Sequence, residues 1–371
     1  MLWNVCRPQA RASPGMKFVH EPLPGRVVFG AGSVAGLAEE ARRLGCRRSL
    51  VLTTPGQEAQ GRRMLDLLGP LGAGLFAGAR MHTPVEVTEA ALAVVQAHDA
   101  DGLVSFGGGS TTGLGKAIAV RTDLPQIAIP TTYAGSEVTP ILGETSNGLK
   151  TTRRSAKILP ETVIYDPDLT LALPAAISAT SGLNAIAHAV EALYAKERNP
   201  IIDLMAEEGV RALVAALPAI VRDPRDAEAR EKALYGAWLC GTCLGAVGMA
   251  LHHKLCHTLG GSFDLPHAET HSVILPHALA FNLPFAPDAR ERLARAIGSE
   301  EPAAGLHRLA RALGMAEGAI DRAADLAVEN PYWNPRPIER EALRGLIERA
   351  WRGAAPEADA PPGMDGRHEK S

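Results

Sequence analysis

The chain has 371 residues, 46% of them hydrophobic and 21% charged. That is enough apolar side chain for a sizeable core and enough length for two domains. A net charge of −3 argues against a nucleic-acid partner, and five cysteines, odd and sparse, exclude a disulfide-built secreted domain. A reducing, cytoplasmic setting fits both.

Residues 1–15 lack the apolar stretch of a signal peptide and read as a disordered extension before a natural start at Met16. Short apolar runs then alternate with helical periodicity. Strands are expected at 26–30, 49–53, 102–106 and 126–130, and helices at 34–44, 85–98 and 112–120. Alternation of this kind implies a parallel sheet covered on both faces. After Asp166-Pro167-Asp168 the pattern turns helical throughout, with helices expected at 175–195, 200–221, 226–256, 287–296, 302–313, 317–328 and 337–352. The expected organisation is an α/β domain over 16–168, an all-helical domain over 169–352 and a disordered tail over 353–371, rich in Pro, Gly, Asp and Glu. The uncharged run Leu234–Leu251 matches the shortest membrane spans in length, but its four glycines and two cysteines point to a buried helix, so no membrane partner is expected.

Two loops carry polar chemistry behind strands. Gly107-Gly108-Gly109-Ser110-Thr111-Thr112 follows a strand and opens a helix. Glycines let a backbone approach a phosphate, and the free N–H groups of a helix start point at the anion. The turn matches neither G-x-G-x-x-G nor a Walker loop. Pro130-Thr131-Thr132-Tyr133-Ala134-Gly135-Ser136-Glu137-Val138-Thr139 follows the next strand. Ligands of open α/β sheets bind beyond the carboxyl ends of strands, so both loops can line one crevice. The turn after the second strand, Thr53-Thr54-Pro55-Gly56, carries no acidic residue.

Six of the twelve histidines lie between 252 and 277. His253 and His257 share a helix face by their spacing, as do Asn184 and His188 on another helix, and His267 follows Pro266 on a loop that can close the ring. His252 must point elsewhere and reads as structural. Three imidazoles with a carboxylate would suit Fe²⁺ or Zn²⁺, but the amide of Asn184 brings no charge to offset a divalent cation. Cys240 and Cys243 stand alone in an apolar helix and read as core packing.

Taken together, Phe29-Gly30-Ala31-Gly32, Gly107–Ser110, Thr131-Thr132 with Ser136–Thr139, Gly182–Glu191 and His253-x-x-x-His257 with His267 resemble the iron-containing (group III) alcohol dehydrogenase family, from about Phe18 to Trp351. The resemblance implies that 16–168 is a Rossmann-like, dehydroquinate synthase-like nucleotide-binding α/β domain, with an all-α C-terminal domain, an NADH or NADPH cofactor and a homodimer; an acidic residue after the second strand would select NAD, and the turn there has none. By position, Gly107, Gly108, Gly109 and Ser110 would bind the pyrophosphate, and Thr131, Thr132, Ser136, Thr139 and Lys150 the nicotinamide side. The family's metal ligands, an Asp and three His, fall on Asn184, His188, His253 and His267. With Asn184 breaking the set, the resemblance points to members that reduce the C=C bond of a small keto dicarboxylate, and no metal is expected. His188, His253, His257 and His267 are then the candidates for steadying the enolate oxygen and moving the proton. The rival readings are a metal-dependent dehydrogenase of a small alcohol or aldehyde, and a zinc lyase of the dehydroquinate synthase kind with no net change in NADH.

Overall fold

A computed structural model of the chain describes residues 18, 20, 25–146, 149–263, 267–309 and 333–357, with the side chains of 149–150, 260–263 and 267–269 excepted. The expected N-terminal extension, the helix over 317–328 and the tail beyond 357 lie outside the described residues.

The first half builds a six-stranded sheet from β1 (Arg26–Phe29), β2 (Ser49–Leu52), β3 (Gly72–Phe76), β4 (Gly102–Gly107), β5 (Gln126–Pro130) and β8 (Thr162–Tyr165). Their order is β1-β8-β5-β4-β2-β3 and every pairing is parallel. Alternation along the central strands splits the core between two faces. Val51, Val104, Phe106, Ile127 and Ile129 pack against α1 (Leu37–Arg43) and α2 (Glu58–Leu68). Leu50, Leu52 and Leu103 pack against α3 (Val85–Ala97) and α4 (Gly109–Thr122). The chain leaves β2 outward to β3 and returns on the other side at β4. The connections from β2 and β4 therefore diverge to opposite faces, and a crevice opens between their carboxyl ends. A two-stranded antiparallel hairpin, β6 (Ile141–Ser146) with β7 (Leu149–Arg154), precedes β8.

From residue 175 the structure is helical: α5 (Ala175–Ala192), α6 (Pro200–Arg222), α7 (Ala227–Ala246), α8 (Leu251–Phe263), α9 (His267–Asn282), α10 (Pro287–Ile297), α11 (Pro302–Leu309) and α12 (Arg340–Trp351). Ala128, Tyr133, Val163 and Tyr165 join the core of α5, α6 and α7, so sheet and helices share one apolar interior. Cys240 and Cys243 are buried free thiols within it.

Three expectations need correction. The helix expected over 226–256 is two helices bent by 97°. Two carboxylates cause the break: Glu197 accepts from the N–H of Gly248, and Glu191 from those of Ala250 and His252, which stops α7 and starts α8 at a new angle. Second, His267 opens helix α9 rather than sitting on a loop, with Pro266 immediately before it as a helix start favours. Third, α4 begins at Gly109 and not at 112, so Gly109 and Ser110 of the glycine turn already belong to the first helical turn. No single helix among the described residues is long and apolar enough to cross a membrane.

Candidate active site

The glycine turn lies at the carboxyl end of β4, in the crevice. Gly107 has φ +146°, where a side chain would be strained, and a Cβ there would stand 2.5 Å from Thr111 Oγ1 and 2.9 Å from Gln57 Oε1. A Cβ on Gly108 would meet the Thr132 side chain at 2.9 Å. Gly108 is the N-cap of α4 and has no side chain to occupy the N–H groups of the first turn. Those N–H groups, with the positive end of the helix dipole, fit a phosphate. Gly109 is exposed, Ser110 half-buried, and Thr111 and Thr112 are buried.

The loop after β5 flanks this turn. Thr131 N donates to Gly107 O, and Gln57 Nε2 donates to Thr131 Oγ1 at 3.1 Å. Gln57 lies in the short turn that follows β2, so chain from beyond the carboxyl ends of β2, β4 and β5 meets at one point. Lys116 of α4 fixes the rest of the loop. Its ammonium is buried and donates to the carbonyls of Ser136, Thr139 (2.7 Å) and Ile141 (2.9 Å) and to Thr139 Oγ1 (3.0 Å). Burial pushes its pKa down to about 7, with the Glu137 carboxylate acting in the opposite sense. Glu137, itself raised by burial, accepts from Tyr165 Oη at 2.7 Å. The hydroxyl of Thr139 is thus committed to Lys116 and to Ser136 O. Ser136 Oγ is buried without a hydrogen-bond partner among the described residues.

The loop is joined to the helical half. Gly135 packs backbone to backbone on Gly241 of α7, where a Cβ would stand 2.5 Å from Gly135 O. Arg230 of α7, fully buried, donates to Tyr133 Oη at 3.2 Å and to Ser178 Oγ of α5 at 2.7 Å. Asn184 lies six residues further along α5, about 9 Å of helix rise.

Asn184 and His188 are buried one turn apart on α5. The His188 ring stacks on that of His253 at 5.1 Å between centroids. His253 Nδ1 donates to Glu191 Oε2 at 2.7 Å, which leaves Nε2 as its other functional atom. His253 Nε2 and Asn184 Oδ1 are buried with no hydrogen-bond partner among the described residues. His257, half-buried, sits 6.1 Å from His253 between ring centroids. The structure therefore brings together His188, His253 and His257. The side chains of His267 and Lys150 lie outside the described residues. Behind His253, His252 Nε2 and His271 Nδ1 share a hydrogen bond of 2.9 Å, with Cys256 Sγ 3.7 Å from the same His252 nitrogen. These three offer donor atoms within 4.8 Å of one another. Two of them are already bonded to each other and burial holds the Cys256 thiol neutral, so the trio packs the floor of the site.

Sequence reasoning left Gln57, Lys116, Glu191 and His271 without roles. Glu191 had a signal, one turn beyond His188 on the same face, and so did Lys116, the lone charge within a buried apolar turn.

Residues 24–167 match the model of the iron-containing alcohol dehydrogenases, and residues 178–351 match that of the C-terminal part of the Fe-containing alcohol dehydrogenase family. The chain belongs to the iron-containing alcohol dehydrogenase family. Within it, a maleylacetate reductase of Rhizobium sp. (strain MTP-10005) is 59% identical over 349 residues, 92% of this chain and 99% of that protein. Another, from Sphingobium indicum, is 55% identical over 350 residues, with 92% and 99% covered. The crystal structure of maleylacetate reductase from Agrobacterium tumefaciens is similar with a TM-score of 0.89 at 59% identity, covering 92% of this chain and 100% of that one.

The name of the iron-containing alcohol dehydrogenase family implies a metal. The orphaned Asn184 Oδ1 and His253 Nε2, with the adjacent His188 ring, are donor types that Fe²⁺ and Zn²⁺ accept. The set fits such an ion by chemistry but is neutral and supplies no charge to offset it.

Proposed function

We propose that the protein is a maleylacetate reductase, which reduces the C=C bond of 2-maleylacetate to give 3-oxoadipate with NADH or NADPH. The observation that carries this reading is the 59% identity to a protein of that name along 99% of its length. The crevice supports it. The Gly107–Ser110 turn and the start of α4 fit a pyrophosphate, and Thr131, Thr132 and Ser136 flank the turn on the side towards α7.

When bound, the nicotinamide supplies a hydride to the olefinic carbon β to the ketone. Negative charge then grows on the ketone oxygen. In this reading His188 and His253, which are buried and stacked, receive that oxygen, since donors in a water-poor pocket act more strongly than in solvent. His253 holds one ring proton against Glu191, so any proton it exchanges with the enolate moves at Nε2. Protonation of the enolate at carbon completes the reduction. His257, one turn on, and His267 complete the proposed set, and protonated imidazoles would attract a dianion. A cation, if held, would take Asn184 Oδ1, His188 and His253 Nε2 and would polarise the ketone. The neutral donor set supports a reaction that does not depend on one.

The test is NADH or NADPH oxidation by the purified protein with maleylacetate, before and after dialysis against a chelator, with metal analysis of the same sample. Turnover that survives chelation is expected. Inertness towards maleylacetate together with oxidation of simple alcohols would overturn the reading.

A further inference from the structure

Glu191 is 1% exposed, yet its carboxylate is saturated with donors. Oε1 accepts from the backbone N–H of His252 (2.6 Å) and of His253 (3.4 Å). Oε2 accepts from the backbone N–H of Ala250 (2.9 Å) and from Nδ1 of the His253 ring (2.7 Å). The three backbone bonds cap α8 and place the negative charge at the positive end of its dipole. A cap needs nothing more. The fourth bond goes to a side chain, and it ties the ring to α5 one turn beyond His188.

We propose that Glu191 is a positioning residue that sets the tautomer and orientation of His253, so that Nδ1 points at the carboxylate and Nε2 is the atom presented to the site. Both carboxylate oxygens already accept from backbone N–H groups, so the bond to the ring is one that Nδ1–H donates. The ring is wedged from three sides, by His188 at 5.1 Å, His271 at 5.0 Å and His252 at 5.2 Å between centroids, so it does not turn to reach substrate in another way. The proposal rests on the proposed function only in taking His253 as a group that meets substrate.

Glu191→Gln tests it. An amide keeps the size and one acceptor oxygen for the cap, but its N–H₂ set against Nδ1 drives the proton to Nε2. The expected result is a fall in kcat of roughly a hundredfold, with KM for maleylacetate and for NADH within about threefold of the parent. Loss of the cap alone would lower the Tm and leave the kcat of folded protein intact. Imidazole ¹⁵N spectra, with His253→Gln to assign the resonance, are expected to show Nδ1–H in the parent and Nε2–H in Glu191→Gln. Where Glu191→Gln fails to fold, the spectrum of the parent decides: a neutral His253 protonated at Nε2 overturns the proposal. An inactive His253→Gln beside a fully active Glu191→Gln overturns the role of Glu191 alone. Full turnover in His253→Gln overturns the reading of the site and, with it, the catalytic part of this proposal.

Discussion

At residue 184 one atom separates a neutral donor set from a charged one. Asn184 Oδ1 is buried on the turn of α5 that carries His188, and no described residue bonds to it. A carboxylate there would add a unit negative charge beside the imidazoles, and at about 4 Å such a charge contributes several kcal/mol to holding a cation. Asn184→Asp is expected to raise affinity for Zn²⁺ or Fe²⁺ by roughly tenfold or more, read by titration calorimetry or by metal retained after dialysis. The same charge would repel a dicarboxylate, so KM for maleylacetate is expected to rise. Metal content and KM both unchanged would show that the amide does not face the imidazoles. The residue types here were legible from spacing alone, because a four-residue interval on a helix fixes a shared face. The spacing also puts Glu191 on the face of His188, but its bonds to the start of α8, about 60 positions away, lie beyond anything helical periodicity shows.

Among the elements, the loop after β5 depends on its seat against α7. Gly135, at φ +76°, and Gly241 touch through their backbones, and no Cβ fits between them. The sequence marks Gly241 only as an oddity in an apolar helix, since the backbone it meets is more than a hundred positions away. Gly241→Ala is expected to cost about 1–3 kcal/mol in chemical unfolding, as an overpacked contact does, and to raise KM for the cofactor because Thr131, Thr132 and Ser136 move with the loop. Unchanged KM with lowered stability would separate the seat of the loop from cofactor binding. The elements read best were those with short-range signals: the apolar runs of β2, β4 and β5, and the periodic α5 and α6. The elements left unassigned were α2, β3, the β6–β7 hairpin, β8 and α9. Strand β3 is the glycine-bearing Gly72–Phe76 segment, only half-buried at the sheet edge, and therefore lacks the run of branched apolar residues that marks a central strand. In α9, Pro276 and a string of histidines obscured a helix that tertiary contacts sustain.

Across the whole molecule, one histidine outside the proposed site bears on stability. His277 is buried where α9 meets α11 and α12, with His307 6.1 Å away between ring centroids. Burial first, then the charges of His307 and Arg349, bring its pKa from 6.5 down to about 4. The sign of the effect follows from which state takes the proton. Between pH 6.5 and 4 the unfolded chain protonates this imidazole and the folded chain does not, so stability is lost as pH falls through that window, by about 3 kcal/mol at its lower end. His277→Asn removes the titrating group. Its unfolding free energy, measured with urea at pH 7, 6, 5 and 4.5, is expected to fall less steeply than that of the parent. Any packing loss shifts the variant's curve by a constant, whereas the titration changes its slope. Parallel curves would place the acid sensitivity elsewhere. His277 lies six residues beyond His271 on α9, about 9 Å of helix rise, so turnover by His277→Asn at neutral pH is expected to match the parent, and the variant separates acid unfolding of the helical half from protonation in the proposed site.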